Sequence, residues 1–197
     1  MPITANTVKE LRDKTGAGMM DCKHALEESQ GDVDKAVEIL RKKGLAALSK
    51  RAGKETSEGV IGSYIHPGER LGVLVEVNCE TDFVARTTDF RGFVKEICMQ
   101  VAAANPLVVQ REELPEEDVE REREIYRDQA RSQGKPDKII DKIVDGKMEK
   151  YYGEVCLLDQ AYIKDGDKKV SQLLEDIRMK VGENLHIKRF ARFRVGE

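Results

Sequence analysis

Residues 76–86 combine an aromatic side chain with carboxylates in a way that suits contact with another protein. Their sequence is Glu-Val-Asn-Cys-Glu-Thr-Asp-Phe-Val-Ala-Arg, and they end an apolar run that predicts a buried strand over residues 71–79. Phe83 follows where we predict a turn into a helix. Two interpretations are open: Phe83 packs beneath that helix, as apolar residues usually do, or it enters a pocket on a partner with Asp82 beside it. Asp82 has a competing role as the N-cap of the helix.

No other part of the sequence has the spacing that catalysis or metal binding requires. The glycine-rich residues 15–20 lack the G-x-x-x-x-G-K-[ST] pattern of a phosphate-binding loop and follow a predicted helix instead of a strand. His24, His66 and His186 have no neighbouring serine, cysteine or carboxylate in the arrangement of a catalytic triad or a metal site. We therefore expect a binding protein and not an enzyme, with no catalytic residue, no metal site and no cofactor.

The composition narrows the classes of partner. Charged residues make up 36% of the chain, aromatic residues 5%, and the net charge is −3, so no overall field attracts the chain to nucleic acid or to an anionic membrane. The basic residues 188–194 nevertheless leave RNA binding open as an alternative function. No apolar run approaches the length of a membrane span. The four cysteines, none in a C-x-x-C pair, predict free thiols of a reducing cytoplasm.

Short apolar patterns at helical spacing predict a three-helix module over residues 1–46. The sequence Thr-Val-Lys-Glu at residues 7–10 has the form of a capping box for the first helix. Met19 and Met20 belong to the second helix, where their spacing indicates that at least one of them is buried. The polar residues 47–58 are predicted to be a linker.

The remainder of the chain predicts an α+β fold with an antiparallel-sheet core and flanking helices. Residues 59–110 form the first part of that core, with two strands and a helix. Residues 111–154 are more than half charged and carry thin apolar stripes, which predicts a protruding helical hairpin. Residues 155–197 form the second part of the core, ending in a strand. The apolar side chains expected to share the core face of that strand are Leu185, Ile187, Ala191, Phe193 and Val195.

Two segments closely resemble the signatures of one family, that of bacterial translation elongation factor Ts. Residues 11–26, Leu-Arg-Asp-Lys-Thr-Gly-Ala-Gly-Met-Met-Asp-Cys-Lys-His-Ala-Leu, resemble its N-terminal signature, and residues 76–86 resemble its second signature. The N-terminal module also resembles a ubiquitin-associated fold, which this family uses to bind its partner. Shorter matches extend the resemblance over nearly the whole chain, at residues 59–64, 134–136, 180–184 and 192–196.

The resemblance implies a cytoplasmic guanine-nucleotide exchange factor for elongation factor Tu. It implies that the N-terminal module and a loop after a late helix contact the GTPase domain of the partner, while the segment around Phe83 displaces the elements that hold magnesium there. An adaptor of the general ubiquitin-associated type is a further alternative, beside RNA binding. The residues to which the resemblance assigns the contacts are Arg12, Met19 and Met20 in the module, Asp82, Phe83, Val84 and Ala85 in the magnesium-displacing segment, and Val181 and Gly182 in the loop.

The chain is shorter than those members of the family that carry two related core subdomains and a C-terminal extension. Here the strand at residues 59–66 and the segment containing Phe83 follow one another directly, and one half of the core is missing. Short members supply that half as homodimers, so the resemblance implies a homodimer here as well. Residues 185–195 and the helical hairpin are the surfaces expected to pair.

Overall fold

The structure, a computed structural model, describes residues 3–51 and 53–197, without the side chains of residue 45 and residues 47–50. The chain divides into two compact units. The first consists of the chain up to Val60 together with Asn78–Phe93 and Leu174–His186, and the second of Ile61–Val77, Val94–Leu173 and Ile187–Glu197. Among the described residues, no helix is long and apolar enough to cross a membrane.

Helices and strands alternate in groups along the chain, as an α+β fold requires. The α-helices are α1 (Ala5–Thr15), α2 (Met19–Glu28), α3 (Val33–Arg51), α4 (Asp82–Ala85), α5 (Thr88–Ala104), α6 (Glu116–Ser132), α7 (Asp137–Val155) and α8 (Val170–Val181). The strands are β1 (Glu58–Ile65), β2 (Leu71–Cys79), β3 (Ala161–Tyr162), β4 (Asp165–Lys169) and β5 (Leu185–Arg194). The main sheet has the order β1-β2-β5, and β3 and β4 form a separate antiparallel pair that the sequence did not predict.

The first three helices surround a small core in the first unit. The predicted helices are present, but α3 continues to Arg51 and therefore includes the beginning of the predicted linker at residues 47–58. The buried side chains of this core are Val8, Leu11, Cys22, Ala25, Leu26 and Ala36.

The capping box of α1 starts three residues earlier than the sequence pattern indicated. Thr4 is the N-cap: its N–H donates to Thr7 Oγ1 at 2.9 Å, and the Thr7 N–H donates to Thr4 Oγ1 at 3.3 Å. The assignment of residues 7–10 as the capping box was wrong. Thr7 itself occupies the third helical position, which in such a box is usually a glutamate or glutamine.

The core of the second unit lies between the sheet and α5. Val73, Val75 and Val77 alternate along β2 and are buried. Gly62 on β1 allows α5 to approach closely, since a Cβ there would lie 2.3 Å from Val94 Cγ1. The sheet therefore fixes α5 by direct backbone-to-side-chain contact at this point.

The helical hairpin predicted at residues 111–154 is present as α6 and α7, with its own buried core of Ala130, Ile140, Val144 and Met148. At the start of this hairpin, Arg111 Nε donates a hydrogen bond to Asp159 Oδ2 at 2.8 Å, and Arg111 Nη1 donates one to Glu149 Oε1 at 2.8 Å. These two hydrogen bonds lower the pKa of both carboxyl groups. The guanidinium also stacks on Tyr152, 4.3 Å from the ring centre.

The last strand departs from the predicted alternation. Leu185 and Ile187 are buried, but Phe193 and Val195 are 69% and 59% exposed, whereas only 10% of the Arg192 side chain is exposed. The prediction of one apolar core face over residues 185–195 is therefore wrong at Phe193 and Val195. Phe190, Ala191 and Arg192 are all partly buried, so the alternation of buried and exposed positions does not continue past Ile187.

Candidate functional site

The turn after β2 exposes Phe83 to solvent. Thr81 is the N-cap of α4, and its Oγ1 accepts a hydrogen bond from the Val84 N–H at 3.4 Å. Val84 and Ala85 face inward and are 8% and 6% exposed, whereas Phe83 is 80% exposed. The interpretation in which Phe83 packs beneath the following helix is therefore wrong. The aromatic side chain of Phe83 is instead exposed to solvent at the start of a capped helical turn.

Asp82 is the charged neighbour of this aromatic ring. It is not the N-cap of α4, since Thr81 has that role. Its carboxylate pairs with Arg86 one turn later at 2.8 Å, and both side chains are largely exposed. An exposed pair of this kind contributes roughly 0–1 kcal/mol, so Asp82 can exchange Arg86 for another cation at small cost.

Two carboxylates tie this turn to the loop that follows α8. Glu183 accepts from Thr81 through both oxygens, at 2.6 Å from the hydroxyl and 3.1 Å from the N–H. In the opposite direction, the Asn184 N–H donates to Glu80 Oε1 at 2.7 Å. We refer to Glu80, Thr81, Glu183 and Asn184 as the carboxylate clamp. Because each segment supplies one carboxylate and one N–H donor, neither segment can shift without breaking bonds to a charged acceptor.

The Glu80 carboxylate of the clamp is buried and compensated by cations. Only 8% of its side chain is exposed, and Arg51 Nη2 and Lys54 Nζ lie 3.3 Å and 3.6 Å from Oε2. A buried carboxylate is costly unless it is paired and hydrogen-bonded. The end of α3 and the residues after it therefore supply the charge that allows Glu80 to sit inside the first unit.

Gly182 gives the loop after α8 its shape. Its φ is 73°, a left-handed conformation that favours glycine, and its N–H donates to Arg178 O at 2.9 Å to end the helix. Arg51 donates to the Gly182 carbonyl. Gly182 is exposed and Val181 is half-buried, so the predicted loop has an accessible backbone.

Arg12, Met19 and Met20 lie on the surface of the N-terminal helices. Met19 and Met20 are 45% and 58% exposed, and the expectation that at least one of them is buried is wrong. The core positions of α2 are instead Cys22, Ala25 and Leu26, which leaves the first turn of the helix free. Two adjacent exposed methionines form a flexible apolar surface of the kind that suits a protein partner.

The N-terminal helices contact α8 within the same unit. A Cβ on Gly16 would lie 3.2 Å from Lys180 Cγ, and one on Gly44 would lie 3.1 Å from Met179 Sδ. Lys180 also pairs with Asp89 at 2.7 Å. The predicted module, the turn with Phe83 and the loop with Gly182 therefore all belong to the first unit, which the carboxylate clamp and α8 connect.

Glu80 and Glu183 were not among the residues predicted for the site. The sequence contained one signal for them, because each is an acidic residue directly beside a predicted contact segment. That signal was weak, since charged residues at turns are usually solvated. Only the tertiary structure brings residues about a hundred positions apart into hydrogen-bond contact.

No group of three or more histidine, cysteine or acidic side chains could hold a metal ion in residues 3–51 and 53–197. Burial raises the pKa of the thiols of Cys79, Cys98 and Cys156 to about 11, so these groups stay protonated and unreactive at neutral pH.

Three of the four basic side chains of residues 188–194 contact a carboxylate within the chain. Arg189 Nε lies 2.7 Å from Glu76 Oε2, and both Arg192 and Arg194 contact the carboxylate of Glu197. These contacts offset part of the positive charge that would attract a nucleic-acid backbone.

Comparison with known proteins decides the family. Residues 5–197 match the model of the family described as Elongation factor TS. The Elongation factor Ts of Caldanaerobacter subterraneus subsp. tengcongensis is 60% identical over 195 residues, which cover 99% of this chain and 98% of that protein. This chain belongs to the elongation factor Ts family. The Elongation factor Ts of Geobacter sulfurreducens is 58% identical over 197 residues, which cover 100% of this chain and 91% of that protein.

Elongation factor Ts is the guanine-nucleotide exchange factor of elongation factor Tu, so nucleotide exchange during translation elongation is the function of this chain. The family predicted from residues 11–26 and 76–86 is confirmed. The short length is shared with the relatives above, since the chain spans almost all of each of them.

Proposed function

We propose that this elongation factor Ts promotes GDP release with the wedge formed by Asp82 and Phe83. The observation that carries the proposal is the 80% exposure of Phe83 on a turn that the carboxylate clamp holds in place. Exposed, rigid aromatic residues are the usual anchors of protein interfaces. Entry of Phe83 into the GTPase domain of elongation factor Tu would displace the elements that hold magnesium, with Asp82 attracting cations of the partner.

This mechanism requires no catalytic acid, base or nucleophile in the exchange factor. Magnesium and the phosphate-binding loop of a GTPase carry much of its hold on GDP, so moving them weakens nucleotide binding. Reciprocity then requires GDP to weaken the binding of the factor by the same ratio. Rebinding of a nucleotide releases the factor, and the cycle takes place in the cytoplasm, where translation elongation occurs.

Val84 and Ala85 have a supporting role in this proposal. Both are buried, so they reach a partner only through their backbone, and their side chains anchor the turn that presents Phe83. Arg12, Met19, Met20, Val181 and Gly182 provide the additional contacts with the GTPase domain. We further propose that residues 1–46 form a partner-binding module of the ubiquitin-associated type, followed by the linker, the two core parts and the hairpin predicted above.

The decisive experiment measures release of labelled GDP from purified elongation factor Tu. Phe83→Ala should raise the concentration of factor needed for half-maximal exchange by about 30-fold, the equivalent of a 2 kcal/mol anchor residue. Leu107→Ala is the matched control, because Leu107 is an apolar residue with 64% exposure outside the proposed site. An unchanged exchange rate for Phe83→Ala, combined with its loss in Lys188→Ala, would show that the wedge is wrong and favour the basic strand.

We propose that the outer face of the sheet forms a homodimer contact. Four large apolar residues there are exposed to 70%, 60%, 47% and 69%, and they are Ile61, Ile65, Leu74 and Phe193. Groups of exposed large apolar side chains mark interaction surfaces, and a twofold contact would pair this group with its copy. Sedimentation should show a dimer at micromolar concentration that Phe193→Glu converts to monomer, and a stable wild-type monomer would count against it.

A further inference from the structure

The second unit contains a cavity that the exchange mechanism does not use. It has a volume of about 460 Å³ and lies between the turn after β1, the C-terminal part of α5 and the end of β5. Three arginines, Arg70, Arg192 and Arg194, line it together with apolar side chains that include Leu71 and Ala102. Cavities of roughly 300–1,000 Å³ accommodate small organic molecules.

Arg192 is the unusual member of this cluster. Its side chain is nine-tenths buried, yet its Nε has no hydrogen-bond acceptor among the described residues. Buried donors are normally satisfied, and leaving one without an acceptor is costly. The cost is offset if an anion enters the cavity beside Arg192.

The contacts of Glu197 indicate how much of the positive charge of the arginines is neutralised within the chain. The carboxylate of Glu197 contacts Nη1 of Arg192 at 2.8 Å and Nη1 of Arg194 at 3.2 Å. No ion pair is formed by the Arg70 side chain within residues 3–51 and 53–197. The lining therefore carries three guanidinium groups, of which two share the side-chain carboxylate of Glu197, and positive charge remains for an anion.

We propose that this cavity binds a small phosphorylated molecule. Guanidinium groups bind phosphate through paired hydrogen bonds, and the apolar part of the lining accommodates an organic group attached to the phosphate. Along β5, Arg192 and Arg194 alternate with Phe193, so the cavity and the proposed dimer contact use opposite sides of the strand. Binding here is therefore compatible with the dimer.

The test is calorimetric titration of the full chain with inorganic pyrophosphate in low-salt buffer, with citrate as a carboxylate of similar charge. We expect saturable binding of pyrophosphate, stronger than that of citrate. Arg192→Gln and Arg70→Gln should each weaken it by about 10-fold, because each removes one charged donor. Glu197→Gln should strengthen it by about 3-fold, since the internal carboxylate no longer competes.

Arg121→Gln is the matched control, because Arg121 is an exposed arginine of α6 that pairs only with Asp118 among the described residues. It removes the same net charge and should leave pyrophosphate binding unchanged. The side chain of Arg192 is nine-tenths buried, so Arg192→Gln could misfold. Arg70→Gln then still tests the proposal, since Arg70 is exposed. Three outcomes would overturn the proposal: no saturable binding below about 10 mM, equal weakening by Arg121→Gln and Arg70→Gln, or tighter binding of citrate than of pyrophosphate.

Discussion

Removal of the Glu183 carboxylate tests whether the carboxylate clamp positions Phe83. Glu183→Ala deletes both hydrogen bonds to Thr81, at 2.6 Å and 3.1 Å. Hydrogen bonds to charged groups contribute roughly 1.5–3 kcal/mol each, but Thr81 is half-buried and regains some contact with water. We therefore expect the turn to lose about 2 kcal/mol of ordering free energy.

The assay is GDP release from elongation factor Tu at increasing concentrations of the variant. If ordering of the turn is required for binding, a loss of about 2 kcal/mol raises the half-maximal concentration by about 30-fold. The half-maximal concentration of Glu183→Gln should lie between those of wild type and Glu183→Ala, because the amide keeps one acceptor oxygen. Glu120→Gln, which removes the same charge from an exposed position on α6, should behave as wild type.

A double-mutant cycle separates positioning from general destabilisation. If Glu183 acts through the turn, then Glu183→Ala should have little further effect on exchange once Phe83→Ala is present. Thermal unfolding should still show the loss of stability in both backgrounds. Additive effects of the two substitutions on exchange, or wild-type exchange by a folded Glu183→Ala protein, would refute the reasoning.

Two further predictions concern the second unit and the thiols. Arg111→Met should lower the free energy of unfolding by about 2 kcal/mol at pH 7, and urea titrations should show the difference shrinking as the pH falls below about 4. Arg111 lowers the pKa of Asp159 in the folded protein. The ion pair therefore stabilises the fold above the pKa that Asp159 has in the unfolded chain, and this stabilisation is lost as the pH falls through the pKa of the folded state. An equal difference in unfolding free energy at pH 3 and pH 7 would contradict this prediction. At pH 8, Cys79, Cys98 and Cys156, whose pKa burial raises to about 11, should react with iodoacetamide at least about 100-fold more slowly than in urea. Mass spectrometry of the labelled peptides measures this, and similar rates in both states would show that the thiols are accessible.

The sequence predicted the elements whose apolar pattern is strong. The strand at residues 71–79 matches β2 because valines alternate along it, and the hairpin was predicted because thin apolar stripes recur at helical spacing in α6 and α7. The predicted alternation failed after Ile187, where Phe190, Ala191 and Arg192 are all partly buried and no single side of the strand carries the core. The apolar spacing of residues 185–195 contains no information about where the core ends along the strand.

The sequence analysis proposed contact residues for the candidate site but missed the residues that support them. Phe83 could be singled out because an aromatic residue at a polar turn is unusual in any sequence, although only the structure excluded the packed alternative. The prediction that at least one of Met19 and Met20 is buried was wrong, since helical spacing identifies a face but not where along the helix the core ends. Glu183 remained hidden because its partner Thr81 is distant in the chain.

The position of the carboxylate clamp explains how an exposed aromatic residue on a short helix could act as the proposed wedge. A four-residue helix is too short to be stable by itself, so a mobile turn would lose conformational entropy on entering a partner and weaken binding. Glu80 and Glu183 hold the turn before the partner arrives, using α8 and the end of α3 as supports. Interactions within the factor therefore order the turn in advance, and in the proposed mechanism the contacts of Phe83 remain available for displacing the magnesium site of elongation factor Tu.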